Sequence, residues 1–231
     1  KGLSWVMMER EDMKQRKYKH LIFDIDGTLL DTEKTGVLSL QKSVKELMGK
    51  DMTYDELYPY FGIPTMVVAL KMGFKDVKAA AHSWEENFRE LMYLIVPFEG
   101  VEEMLPRLRE MGFKLGVVTS RSRFEFNYDP RLSQWKYLFE TVITSDDSDR
   151  HKPFPDPLLA YLSQSGAVAD ECVYFGDTEY DYECARAAGI DFALADWRNR
   201  GFQGIPAQYR FSSVEEIIKI SETLRQIAIG R

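Results

Sequence analysis

Short apolar runs recur along this chain, and between them lie longer stretches in which apolar residues fall three and four apart. The runs are Leu21–Asp24, Leu115–Thr119, Val142–Thr144, Cys172–Phe175 and Phe192–Leu194. They are rich in Val, Ile, Leu and Phe and bounded by Gly, Asp, Ser or Thr, the pattern of strands buried on both faces of a parallel sheet. Val101–Met111 puts Val101, Met104, Leu105, Leu108 and Met111 on one stripe, closed by Gly112. That spacing predicts a helix, with Pro106 expected to kink or weaken it. Pro157–Ser165, Asp181–Ala188 and Val214–Ile229 also read as helices. Alternation of strand and helix predicts an α/β fold with a mostly parallel sheet flanked by helices.

One region interrupts the alternation. From about Glu33 to Val96 there is no strand candidate. Val37, Leu40, Val44, Leu47 and Met48 form one helical face, Met66–Met72 and Lys78–Ile95 suggest further helices, and Tyr58–Pro64 should turn. The expectation is a helical domain over 33–97, inserted into a core made of 1–32 and 98–231, with 1–17 a possible tail. The junctions near Asp31–Thr35 and Pro97–Gly100 carry residues that hinges tolerate.

Composition narrows the classes. The 231 residues are 45% hydrophobic and carry a net charge of −7, so no basic excess exists to bind nucleic acid. No apolar stretch is long enough to span a membrane and the N-terminus lacks a signal-like apolar core, so a cytoplasmic protein is expected. Cys172 and Cys184 read as two reduced thiols. The oligomeric expectation is a monomer or weak dimer.

Candidate chemistry sits where the apolar runs end. Asp24-Ile25-Asp26-Gly27-Thr28-Leu29 follows Leu21-Ile22-Phe23 directly. Side chains two apart on a strand share a face, so Asp24 and Asp26 project together, and Gly27 lets the chain turn away. Gly176-Asp177-Thr178-Glu179-Tyr180-Asp181 follows Val173-Tyr174-Phe175, with Asp177 or Thr178 a possible helix N-cap. Lys152 lies in the proline-rich run His151–Pro157, and Thr119-Ser120 ends another strand. Taken singly, each has an ordinary structural explanation. Together they converge on the carboxyl edge of a parallel sheet, where such folds bind ligands. Asp24, Asp26, Asp177 and Asp181 against Lys152 give four negative charges and one positive, a net −3, so a phosphate group would need a cation there. Ligands that are all oxygen favour Mg²⁺ over zinc.

These four segments, in this order, resemble the motifs of the haloacid-dehalogenase-like phosphatase superfamily: DIDGTLLDT at Asp24–Thr32, VVTS at Val117–Ser120, the lysine of HKPFPDP at His151–Pro157 and GDTEYD at Gly176–Asp181. The likeness covers roughly Tyr18 to Glu216, and the helical insert is similar to the cap of the phosphoglycolate-phosphatase-like branch. The resemblance implies a Rossmann-like sheet of order 3-2-1-4-5 with an inserted all-α cap domain. It further implies a Mg²⁺-dependent phosphatase acting on a small phosphorylated metabolite. Asp24 would attack phosphorus and form an aspartyl phosphate. Asp26 would serve as general acid and then base, its backbone carbonyl reaching the metal. Asp24, Asp177 and Asp181 would hold Mg²⁺, with Asp181 ligating directly or through water. Thr119, Ser120 and Lys152 would bind the transferring phosphoryl group. The alternatives are a β-phosphoglucomutase-like phosphotransferase, against which the absence of histidine in Glu33–Leu40 counts, and a catalytically silent binding module.

Other segments are read more plainly. Arg121–Pro130 is expected to be a surface loop, with Arg121 and Arg123 as candidate anion contacts. Asp146-Asp147-Ser148-Asp149 is expected to be a solvated acidic loop. His20, His82 and His151 show no metal-ligand spacing, and Tyr54, Tyr58, Tyr60 and Phe61 are expected to pack the helical insert. Trp197–Gly201 falls near the same sheet edge, with no role assigned.

Overall fold

The structure, a computed structural model, describes residues 18–61, 63, 65–198 and 204–229, with side chains as far as 222. Residues 1–17, Gly62, Pro64 and 199–201, on which some of the expectations above fall, lie outside the described residues. The chain divides into two compact units: one built from the segments up to Leu29 and from Pro97 onward, the other Leu30–Val96.

The larger unit is a six-stranded parallel sheet. Its strands are β1 (His20–Phe23), β4 (Lys114–Val118), β5 (Phe139–Ile143), β6 (Cys172–Gly176), β7 (Asp191–Ala195) and β8 (Tyr209–Phe211), in the spatial order β5-β4-β1-β6-β7-β8. β2 (Leu30–Asp31) and β3 (Val96–Pro97) pair separately as a two-stranded sheet. β1 is central, with Phe23 opposite Val117 on one side and Phe175 on the other. Every residue of β1 and β6 is buried, as the unbroken apolar runs require. The first five core strands follow the 3-2-1-4-5 order. β8 extends the sheet beyond β7, and the sequence did not signal it because three residues leave no periodicity to read. β5 starts earlier than the sequence suggests, since exposed Glu140 and half-buried Thr141 break the apolar run of an edge strand.

Helices cover the sheet. Val101–Glu110 is continuous through Pro106. Val118, Ile143, Leu158, Tyr161, Tyr174, Cys184 and Phe192 pack one core between strands and helices. Each such aliphatic or aromatic side chain contributes about 1.5–3 kcal/mol through burial, which offsets the polar groups gathered at the sheet's edge.

The smaller unit holds α1 (Glu33–Met48), α2 (Tyr54–Leu57), α3 (Thr65–Met72) and α4 (Val77–Glu90). Val37, Leu40, Val44, Leu57, Val68 and Ala80 form its core, and Tyr54, Tyr60 and Phe61 pack against it as expected, whereas Tyr58 is exposed. α1 and α4 are also stitched by polar groups. Asn87 donates to Ser43 at 2.9 Å and to Glu46 at 3.0 Å, and Trp84 donates to the Gly36 carbonyl at 3.2 Å. Tyr58–Tyr60, within the expected turn, is a single 3₁₀ turn started by Pro59. Among the described residues no helix is long and apolar enough to cross a membrane.

Candidate active site

Parallel strands end on a common edge, and β1, β4 and β6 bring the sequence motifs there. Asp24 follows β1 and is almost fully buried, its N–H still bonded to the Phe175 carbonyl at 2.8 Å. Asp177 follows β6, and Asp181 lies in the first turn of the helix Glu179–Ala188. That turn is fixed by a capping box. Thr178 accepts from the Asp181 N–H, while Asp181 Oδ2 accepts from the Thr178 N–H at 3.1 Å and hydroxyl at 2.6 Å. Capping of this kind is worth about 1 kcal/mol. It also orients Asp181 Oδ1 toward the site.

The result is a buried carboxylate cluster. One oxygen from each of Asp24, Asp177 and Asp181 lies within 4.8 Å of the others. The Lys152 ammonium is bonded to Asp24 Oδ1 at 2.8 Å and to Asp181 Oδ1 at 2.7 Å. Lys152 is therefore no exposed loop lysine: its side chain is 7% accessible. Gly27 lets the cluster close. Its φ is +85°, and a Cβ there would stand 2.1 Å from Asp177 Oδ2.

Charge and burial oppose one another within the cluster. Burial pushes the Asp24 carboxyl up to about 7; Lys152 opposes this, and the Asp181 and Asp26 carboxylates add to it. Asp181 is equally buried but is held below the usual carboxylate range, because Lys152, Thr178 and Tyr174 all stabilise its charged form. Burial alone would lower Lys152, yet the Asp181 and Asp24 charges keep its ammonium well above the ordinary lysine value. Two carboxylates share one lysine, and Asp181 has the additional donors. A bound cation would supply Asp24 with the stabilisation it lacks.

Tyr174 is a member of this constellation that the motifs did not reveal. Its hydroxyl accepts from Lys152 at 3.1 Å and lies 3.0 Å from both Asp181 Oδ1 and the Val118 carbonyl, either of which can accept its single proton. Its alternation within β6, two residues before Gly176, was the available signal.

Thr119 is buried at the end of β4, and Ser120 is exposed beside it. Asp26 departs from the cluster. Its carboxylate is gripped by Arg121, with Nε at 2.9 Å from Oδ2 and Nη2 at 2.7 Å from Oδ1. The surface loop expected over 121–130 is consequently incorrect. Arg121 is buried, and Arg123–Tyr128 and Pro130–Trp135 are helices, opened by Ser122 in a capping box and by Asp129 before a proline. Ser122 with Glu125, and Asp129 with Pro130, are legible start signals that the aromatic composition obscured. Arg123 is not a free anion contact either, since Nη2 binds Asp147 at 2.5 Å. Asp147 also accepts from the Thr144 N–H and hydroxyl, so the acidic run is partly a capping device rather than wholly solvated. His20 is buried against the Tyr161 hydroxyl at 3.0 Å, while His82 and His151 are exposed. Trp197 has a definite partner: its indole N–H donates to the Thr28 carbonyl at 2.8 Å, steadying the turn after Asp26.

The haloacid dehalogenase-like hydrolase family model matches residues 21–195. A phosphoglycolate phosphatase of Xylella fastidiosa is 30% identical over 203 residues, spanning 85% of this chain and 88% of that protein. The pyrophosphatase PpaX of Bacillus velezensis is 25% identical over 213 residues, spanning 90% and 99%. Among solved structures, a HAD-superfamily hydrolase of Geobacter sulfurreducens, subfamily IA, variant 1, matches with a TM-score of 0.70 at 27% identity, covering 89% of this chain and 97% of that one. A Lactobacillus plantarum structure shares the fold with a TM-score of 0.80 at 24% identity, covering 88% and 99%. With the family pattern running from the first core strand to the fifth, this chain belongs to the haloacid dehalogenase-like hydrolase family.

Proposed function

We propose that this chain is a Mg²⁺-dependent phosphatase of small phosphorylated metabolites in the cytoplasm, working through an aspartyl phosphate on Asp24. The observation that carries the reading is the buried set Asp24, Asp177 and Asp181, with oxygens within 4.8 Å of one another and the Lys152 ammonium bonded to two of them. The donors are all oxygen. Mg²⁺–oxygen distances of about 2.1 Å place cis oxygens about 3.0 Å apart and trans oxygens about 4.2 Å apart, so these carboxylates would draw inward by side-chain rotation to hold the ion. Bound there, Mg²⁺ would neutralise the carboxylates and the incoming phosphoryl oxygens.

The chain's own residues then divide the work. Asp24 attacks phosphorus in line; the P–O bond to the leaving group breaks as the bond to the Asp24 carboxylate forms. The leaving oxygen takes its proton from Asp26. Water next attacks the aspartyl phosphate and gives a proton to Asp26, releasing phosphate and restoring Asp24. Thr119 and the Ser120 N–H hold phosphoryl oxygens while Lys152 balances their charge. Positioning and charge stabilisation are what phosphoryl transfer chiefly demands. The family fold does not set substrate choice.

The test is phosphate release from p-nitrophenyl phosphate, phosphoglycolate and inorganic pyrophosphate, with Mg²⁺ and with chelator; the last two are chosen from the relatives' names. Mg²⁺-dependent release that Asp24→Asn abolishes is expected. Equal release in chelator, or an active Asp24→Asn, would refute the mechanism. Transfer to a second sugar phosphate without net release would favour the mutase alternative.

A further inference from the structure

We infer that Arg121, clamped by buried Asp129, is a positioning residue that aims the Asp26 carboxyl. The inference rests on the proposed acid/base role of Asp26 and goes beyond it.

The guanidinium is spent on protein carboxylates along two edges. Nε and Nη2 face Asp26, and Nη1 donates to Asp129 Oδ2 at 3.0 Å. Asp129 is fully buried, and its other oxygen accepts from the Arg131 N–H at 2.9 Å and from Arg131 Nη1 at 3.0 Å. The root of Arg121 is fixed as well: its N–H donates to Thr119 Oγ1 at 3.2 Å, and its carbonyl accepts from the Ser145 N–H at 2.9 Å. A planar fork held at one edge and at its backbone can present its other edge in one direction only.

Asp26 needs such a constraint. It lies on the turn made by Gly27, and its side chain is 34% accessible, so packing alone does not fix it. A bidentate guanidinium does. The arrangement is also compatible with proton transfer. Oδ1 receives Nη2 at 2.7 Å and Nε at 3.2 Å, whereas Oδ2 receives only Nε at 2.9 Å. A small rotation frees Oδ2 to carry the proton while the Nη2–Oδ1 bond continues to hold the group. In the step served, that proton moves from Asp26 to the leaving oxygen as the phosphorus–oxygen bond breaks.

A misaimed acid penalises substrates in proportion to their need for a proton. p-Nitrophenolate departs unassisted, whereas an alkoxide does not. The experiment therefore compares kcat/KM for p-nitrophenyl phosphate and for a simple alkyl phosphate in Arg121→Lys, Asp129→Asn and Asp26→Asn, each checked for a native circular dichroism spectrum. Arg121→Lys and Asp129→Asn should each lose about 10–100-fold on the alkyl phosphate and no more than about 3-fold on the aryl phosphate. Adding Arg121→Lys to Asp26→Asn should cost nothing further. Equal losses on both substrates would reduce the pair to a fold-stabilising contact, a rise in KM alone would make Arg121 a substrate-anion contact, and unchanged rates would remove it from the reaction. Each of these outcomes overturns the inference. Were Asp26→Asn itself fully active, the parent reading of Asp26 would fail; a selective loss in Asp26→Asn without one in the other two would sink the positioning role alone.

Discussion

Gly27→Ala is the perturbation that most directly examines the carboxylate cluster, because two separable penalties meet there. The first is backbone strain: φ at Gly27 is +85°, where a Cβ costs about 1–2 kcal/mol. The second is steric. The new Cβ would lie 2.1 Å from Asp177 Oδ2 and 2.5 Å from its Cγ, so the Asp177 carboxylate must swing away. Gly49→Ala provides the control, for φ is +66° at the end of α1 and nothing lies within 4 Å of a Cβ there. Gly49→Ala should lose about 1–2 kcal/mol without metal, and Gly27→Ala at least as much, because the steric penalty adds to the strain. Their response to Mg²⁺ should differ. Wild type and Gly49→Ala should gain stability as RT ln(1 + [Mg²⁺]/Kd), about 2.7 kcal/mol at a hundredfold excess over Kd. Gly27→Ala, with one of three ligands displaced, should need at least about 10-fold more Mg²⁺ for the same gain. Urea unfolding across a Mg²⁺ titration measures this independently of turnover. An identical Mg²⁺ response in the two variants would refute the reasoning and take Asp177 out of the ion site.

Three further outcomes are expected. Lys152→Met should leave Asp24 and Asp181 buried without their shared cation, lowering stability without metal by about 3–5 kcal/mol and abolishing turnover, with Mg²⁺ restoring part of the stability; urea unfolding with and without Mg²⁺ checks it. Burial pushes the Cys172 and Cys184 thiols up to about 12, so neither should react with a thiol reagent at pH 8 in native protein, and both should react in denaturant. Burial would raise Asp129, but Arg121, the Arg131 N–H and the Arg131 charge outweigh it and hold the carboxyl below its ordinary value. A depressed folded value stabilises the protein above the unfolded carboxylate range and is lost as pH falls through the folded one. Acid unfolding of Asp129→Asn should thus be less steep below about pH 4 than that of wild type.

The sequence by itself determined the frame of this protein. Unbroken apolar runs can be satisfied only by burial on both faces, so β1, β4 and β6 were legible, and with them the edge where Asp24, Thr119 and Asp177 emerge. The helix start after β6 was equally readable, with Thr178 among the possible N-caps, because capping is local chemistry. What only the tertiary structure decided was which charge meets which. Lys152 reaches Asp24 from 128 residues away, and Arg121 reaches Asp26 from 95. Tyr174 looked like one more apolar strand position until its hydroxyl met Lys152, and Arg121 looked like a surface cation until burial enclosed it with Asp129. A periodic pattern records whether a residue faces the interior. The partner it finds there depends on distances across the sheet, and these exist only once the chain has folded.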